Sequence, residues 1–166
     1  MGGLILNNCM LTFMRMKRIS ILVPRGAILG SLEGSRQLFS QVNEFFRMKG
    51  LPPIFKVELV GLDKETHVSG GLFTVNTDLL IGDIEQTDLI IIPALDGEIT
   101  SAIEKNRDFL PWIIKQREQG AEIASLCLGA FLLASTGLVN GRKCATHWLA
   151  ENDFRRSSSH CARRSD

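Results

Sequence analysis

The run Asp88-Leu89-Ile90-Ile91-Ile92-Pro93 constrains the fold more than any other stretch of this chain. It is a nearly continuous aliphatic segment ended by a proline, a pattern typical of a parallel β-strand that is buried on both faces. A strand of this kind needs helices on both sides of its sheet. The segment therefore predicts α/β architecture.

Apolar periodicity predicts the other elements. Strands are expected at residues 18–23, 55–60 and 121–126, and helices at 31–48, 106–119 and 130–134. In the second helix, Pro111 either produces a kink or delays the start. Gly70-Gly71 and the apolar run 72–75 indicate a small hairpin or an excursion from the sheet. The order of these elements predicts a mostly parallel sheet with helices on both faces. The helix at 31–48 has the clearest pattern, with one face formed by Leu32, Ser35, Leu38, Phe39, Val42, Phe45 and Phe46.

The apolar stretch around Cys127 changes from a strand pattern to a helix pattern in its middle. Ser125-x-Cys127-x-Gly129 has the small-x-nucleophile-x-small form of a nucleophile elbow, the tight turn that exposes a reactive side chain. A thiol at such a turn lies near a helix N-terminus, which favours the thiolate. Alternatively, Cys127 is a small core residue, because cysteine is among the most buried residue types.

Composition bounds the class of protein. With 166 residues, 45% of them hydrophobic, the chain suits one compact domain, expected at 18–154 between a loose leader (1–17) and a polar tail (155–166). The formal net charge of +1 excludes a global field that recruits nucleic acid or an anionic membrane. The four cysteines form no C-x-x-C pair, which favours a reducing, cytoplasmic setting.

The elbow, the strand ending at Pro93 and residues 138–148 together resemble a known family. The chain is similar to a ThiJ/PfpI domain, the class I glutamine-amidotransferase-like fold, in the version found at the N-terminus of AraC-type transcriptional regulators. The resemblance rests most on residues 127–134 and on Thr146-His147-Trp148. It implies a flavodoxin-like three-layer sandwich, an elbow after a central strand, and a homodimer. The family's last strand and helix are not recognisable here, nor is the helix-turn-helix half through which an intact regulator would bind DNA, so we expect no nucleic-acid binding by this chain alone.

The resemblance also implies the site residues. Cys127 matches the elbow cysteine and His147 its histidine, so this pair is the catalytic candidate, because an imidazole can stabilise a thiolate or transfer a proton. Alternatively, His147 is a helix-start histidine with a satisfied hydrogen bond. Ser31 stands where enzymatic members carry an acid, and Pro93-Ala94-Leu95 replaces the glycine-rich turn whose N–H groups form an oxyanion site. The predicted ligand site comprises Ser31, Ala94, Leu95, Cys127, Leu128 and His147.

Three functions follow from these features. The first is a ligand-sensing and dimerising domain that binds an unidentified small-molecule effector without catalysis. The second is a cysteine-dependent hydrolase, hydratase or deglycase of the same superfamily, with Cys127 as nucleophile. The third is a redox sensor in which Cys127 is oxidised to the sulfenic acid.

No cofactor or metal is expected. A zinc site built from Cys144, His147, His160 and Cys161 is a minor alternative, because its second pair lies in the polar tail. The uncharged stretch 123–141 has the length of a membrane span, but its serine, glycine and asparagine residues interrupt it, and we expect no membrane insertion.

Overall fold

The computed structural model describes residues 15–157, including the side chains of 15–154. A five-stranded parallel sheet has the order β5-β2-β1-β6-β7. Its strands are β1 (Lys17–Leu22), β2 (Phe55–Gly61), β5 (Leu79–Leu80), β6 (Leu89–Ile92) and β7 (Glu122–Ser125). An antiparallel hairpin consists of β3 (Glu65–Val68) and β4 (Phe73–Asn76). The helices are α1 (Leu29–Met48), α2 (Ile99–Lys105), α3 (Phe109–Glu118), α4 (Gly129–Ala134) and α5 (Glu151–Ser157).

Both faces of the sheet are covered, as the aliphatic strand predicted. On β6, Ile91 points into the core that the sheet forms with α1 and the hairpin, whereas Ile90 and Ile92 point into the core formed with α2, α3 and α4. The alternation follows from the two-residue period of a strand. Because both sets are buried, β6 has no polar face, and the predicted three-layer arrangement is confirmed.

The helix predictions need two corrections. Helix α3 begins at Phe109 rather than residue 106, with Pro111 in its first turn, where the missing N–H costs nothing. Helix α1 does not bury the whole predicted stripe, because Leu38 and Phe45 are 61% and 54% exposed. The other five residues of the stripe are buried or half-buried, and the Phe39 ring packs edge-on against Phe55 with ring centres 5.2 Å apart.

Within residues 15–157, the elbow follows a strand at one end of the sheet, whereas the resemblance implied a central strand. Strand β7 pairs with β6 alone in this part of the chain. The stretch 123–141 is divided into a strand, a turn and a six-residue helix, and none of the described helices is long and apolar enough to cross a membrane.

The ends of the domain also differ from the prediction. Lys17 already belongs to β1, and both Arg15 and Lys17 form ion pairs with Asp88, so residues 15–17 are not part of a loose leader. Helix α5 continues to Ser157, three residues past the predicted boundary, and Phe154 is buried with its ring edge-on to Phe131 at 4.9 Å. The predictions for 1–14 and 158–166 lie outside the described residues.

Candidate functional site

Cys127 occupies a true elbow between β7 and α4. Its φ of 50° lies in the left-handed region, which a non-glycine residue adopts only when the surroundings impose it. Gly129 explains the constraint, because a Cβ there would lie 2.3 Å from the carbonyl oxygen of Pro93. The turn therefore presses against the end of β6. Cys127 is a free, exposed cysteine, so the alternative of a buried core residue is wrong.

The first N–H groups of α4 are not free to donate hydrogen bonds to the Cys127 thiol. The N–H groups of Gly129, Ala130 and Phe131 donate to carbonyl oxygens of the same turn at 2.8, 3.3 and 3.1 Å. These donors are used within the backbone, and the helix has only six residues. Within the described residues, no hydrogen bond reaches the Cys127 sulfur.

His147 adjoins Thr146, which contacts the elbow, but the imidazole forms no hydrogen bond with the Cys127 thiol among the described residues. The Thr146 hydroxyl donates to the Cys127 carbonyl at 3.2 Å, which ties this segment to the elbow. The His147 Nδ1 accepts the Leu149 N–H at 3.3 Å, and the imidazole stacks on Trp148 with ring centres 5.8 Å apart. Among residues 15–154, no hydrogen bond connects His147 with Cys127. This geometry is that of the helix-start histidine.

Ser31 lies against the turn after β6. Its hydroxyl donates to the Ile28 carbonyl at 2.7 Å and accepts the Ala94 N–H at 3.0 Å. A bridge between Ala27 and Leu95 holds the same turn, and Ala94 and Leu95 are only 6% and 3% exposed. One N–H of the predicted oxyanion turn is thus already bonded.

Two other backbone donors stay unused. The N–H groups of Leu95 and Leu128 have no acceptor within the part of the chain that the structure describes. The two leucines also line a small apolar gap together with Phe131. The structure therefore brings together Ser31 with Ala94, and Leu95 with Leu128.

A larger cavity lies on the other side of the β6–α2 loop. It has a volume of about 560 Å³ and is lined by the loop after β1, the β3–β4 hairpin with the residue Asp63 before it, and the β6–α2 loop together with α2. Its polar lining includes Arg25, Glu65, Thr66, Asp96 and Lys105, and none of the six predicted ligand residues. Asp63 and Asp96, which follow β2 and β6, were a signal in the sequence, because ligands gather at the carboxyl ends of parallel strands.

The charged groups of this cavity are partly used by the protein itself. Glu98 accepts the N–H groups of Thr100 and Ser101 at 2.8 and 2.7 Å, and these hydrogen bonds, that of Ser101 first, lower the pKa of the Glu98 carboxyl. Arg25 pairs with Asp63 at 2.9 Å. No group of three or more His, Cys, Asp or Glu side chains in the described chain is placed to hold a metal ion.

A model of the DJ-1/PfpI family matches residues 42–164, more than half of the sequence. The chain belongs to the DJ-1/PfpI family. Two curated proteins illustrate its relatives. A Streptomyces lividans protein, described only by its position in the cpoL 5' region, is 28% identical over 138 residues, which cover 79% of this chain and 87% of that protein. The isonitrile hydratase of Pseudomonas putida is 26% identical over 96 residues, 58% of this chain but only 41% of the hydratase.

Two solved structures of transcriptional regulators illustrate the shared fold. A candidate transcriptional regulator from Vibrio parahaemolyticus superposes with a TM-score of 0.76 at 18% identity, over 92% of this chain and 78% of that one. An AraC family transcriptional regulator from Pseudomonas putida superposes with a TM-score of 0.69 at 14% identity, over 90% and 77%. The resemblance and the fold inferred from the sequence are confirmed.

Proposed function

We propose that this chain is a ligand-sensing and dimerising domain of the kind found in AraC-type transcriptional regulators, without catalytic activity. An effector bound near the carboxyl ends of the strands would change the preferred geometry of the domain, and with it the geometry of a DNA-binding partner domain. The structural neighbours that are regulators support this proposal.

The hydrogen bond from the Ala94 N–H to the Ser31 hydroxyl is the observation that carries the proposal. Ser31 stands where enzymatic members of the superfamily would hold a carboxyl group near the thiol. A serine hydroxyl cannot act as a general acid or base at neutral pH as a carboxyl group does. Here it also occupies a backbone donor that an oxyanion would otherwise use.

The exposed surface of α1 supports a homodimer. Leu38, Phe45 and Met48 are 61%, 54% and 80% exposed, and all three lie on one side of this 20-residue helix. A concentration of large apolar side chains on a water-facing helix is typical of a protein–protein contact. We propose that a second copy of the chain covers it.

A cysteine-dependent enzyme is the second candidate. The unused N–H groups of Leu95 and Leu128 favour it, because backbone donors without acceptors can bind the negative charge that develops on a substrate. The strained Cys127 backbone and the relationship to an isonitrile hydratase also favour it. Redox sensing is the third candidate and rests on the exposed Cys127 thiol alone.

The test is a turnover assay that compares the wild-type chain with Cys127→Ala. An alkyl isonitrile and methylglyoxal serve as substrates, and formation of the N-alkylformamide or loss of the dicarbonyl is followed by mass spectrometry. We expect both proteins to give the same rate as buffer. A rate above buffer that is lost in Cys127→Ala would establish the enzyme instead.

Peroxide treatment of the same pair of proteins tests the redox-sensor hypothesis, because only a sensor would form a stable Cys127 sulfenic acid with a structural response.

A further inference from the structure

The cavity of about 560 Å³ beside the β3–β4 hairpin has the size of a small-molecule site, for which volumes of about 300–1,000 Å³ are typical. Its walls come from three separate parts of the chain, which meet only in the folded protein. The β6–α2 loop separates it from the elbow, and Asp96, Gly97 and Ala102 line both this cavity and the apolar gap at Leu128.

Thr66 supplies a polar group that lacks a partner. The residue is only 5% exposed and lies on the inner face of β3 together with Val68, which packs into the core. Its side chain lines the cavity, and its hydroxyl forms no hydrogen bond with any described residue. The hydroxyl keeps access to solvent through the cavity, so a ligand that bonds to it takes the place of a water molecule there.

The charges of the lining leave one cation and two carboxylates without a protein ion pair. Lys105 and Glu65 have no ion-pair partner within residues 15–154, and Asp96 accepts only the neighbouring Gly97 N–H, at 2.7 Å. Arg25 and Asp63 neutralise each other across the cavity rim, and both Glu98 oxygens are occupied. A ligand that complements the remaining groups carries both a positive and a negative charge.

We propose that this cavity binds a small zwitterion of the amino-acid type, with its ammonium group at Asp96, its carboxylate at Lys105, and a hydrogen bond to Thr66. This inference rests on the proposed ligand-sensing function and assigns its effector site to residues outside the elbow. The lining charges that lack a protein ion pair then serve recognition, because a cavity with both a cation and a carboxylate in its lining selects a molecule with both charged groups over one with either alone.

The experiment measures binding of the twenty standard L-amino acids, each alone, to the full chain by isothermal titration and thermal shift. Any binder is compared with its decarboxylated amine and its deaminated acid. We expect saturable binding of at least one amino acid, and affinities about tenfold or more weaker for the amine and the acid, because each lacks one charge-assisted contact. Absence of saturable binding at concentrations up to about 10 mM, ten times a weak Kd of about 1 mM, would overturn the proposal.

Variants locate the binding. Asp96→Asn and Lys105→Gln should each weaken binding about tenfold, and Thr66→Val, which keeps the shape of the side chain, should weaken it severalfold. Glu118→Gln, an exposed carboxylate on α3 outside the cavity, should leave the affinity unchanged. Binding that is insensitive to the three cavity variants and lost in Cys127→Ala would place the ligand at the elbow. That result would refute this site while the sensing function stands, whereas Cys127-dependent turnover would refute the function itself.

Discussion

At the scale of single residues, the close contact between the elbow and β6 fixes the position of Cys127. Gly129 has no space for a side chain, because its Cβ would meet the carbonyl oxygens of Pro93 and Ile92 at 2.3 and 2.9 Å. These are backbone atoms of a buried strand, which cannot move away as the end of a flexible side chain could. The elbow therefore depends on glycine two residues after the cysteine.

We predict that Gly129→Ala destabilises the fold by about 3 kcal/mol or more, a cost in the upper range for overpacking a core. Gly34→Ala is the matched control, since nothing lies within 4 Å of its Cβ and the residue is inside α1. There alanine should stabilise by up to about 1 kcal/mol through helix propensity. Urea unfolding of both variants tests the pair, and equal effects of the two substitutions would contradict the packing argument.

Ser31 is the second residue whose role can be isolated. Ser31→Ala leaves the N–H of the nearly buried Ala94 without an acceptor, so we expect a loss of about 1–3 kcal/mol. Ser35→Ala is the control on the same helix, because the Ser35 hydroxyl donates only to the Ser31 carbonyl, which is already a helix acceptor. Its effect should stay within about 0.5 kcal/mol. If thermal unfolding gave the same small loss for both, the Ser31–Ala94 contact would not organise the turn.

At the scale of elements, α1 has more apolar surface than the sheet can cover. The sequence predicted the helix from the spacing of its apolar residues, and that prediction is confirmed. It could not show which part of the stripe meets the sheet, because the stripe is wider than one contact. Asn43, at a position that the pattern treats as polar, is buried and bonds the backbone of Ile54 and Phe55.

Phe45→Glu tests whether the exposed part of α1 forms the dimer. We expect the wild-type chain to sediment as a dimer and the variant as a monomer, because a charge placed in an apolar contact must be desolvated without a partner. The stability of the monomer should change little, since Phe45 is 54% exposed. Lys115→Glu introduces the same side chain at an exposed position of α3 and should leave the dimer intact. A Phe45→Glu variant that remains a dimer would show that another surface is used.

The cavity beside the β3–β4 hairpin could not be predicted from the sequence, although the hairpin itself could. The double glycine indicated that the chain turns near Gly70, and β3 and β4 flank that turn. Nothing local in the sequence showed that the hairpin would bring Thr66 into the same cavity lining as Asp96, thirty residues along the chain. Elbow chemistry is encoded in a five-residue pattern, whereas this cavity exists only through tertiary packing.

At the scale of the whole molecule, ion pairs at the amino ends of the strands bind the sheet together. Burial raises the pKa of Glu58, but hydrogen bonds and charge from Arg18 and Lys56 outweigh this and hold that pKa below its usual value. Burial likewise raises the pKa of Asp88, and the Arg18 N–H with Lys17 and Arg15 outweighs it. Both carboxylates are therefore more acidic in the folded chain than in the unfolded one.

Because the pKa of Glu58 is lower in the folded chain than in the unfolded one, the free energy of unfolding decreases as the pH falls. The contribution of Glu58 is complete above its unfolded value of 4.5 and is lost as the pH falls through the lower folded value. We expect Glu58→Gln to cost about 2 kcal/mol at neutral pH, since it leaves Arg18 and Lys56 without their partner, and less as the pH falls below 4.5. Urea unfolding from about pH 7 to pH 3 measures the difference from wild type. A difference that does not change over this range would contradict the assignment.

We propose that the whole chain binds a small molecule and releases it unchanged. The most direct measurement equilibrates wild-type protein and Cys127→Ala with a mixture of small polar metabolites, then quantifies by mass spectrometry what each protein retains and what disappears from solution. The account predicts that both proteins retain the same compound at close to one equivalent per chain and that no compound is consumed. Consumption of a compound beyond one equivalent by the wild type, and not by Cys127→Ala, would contradict it and make this elbow a catalytic one.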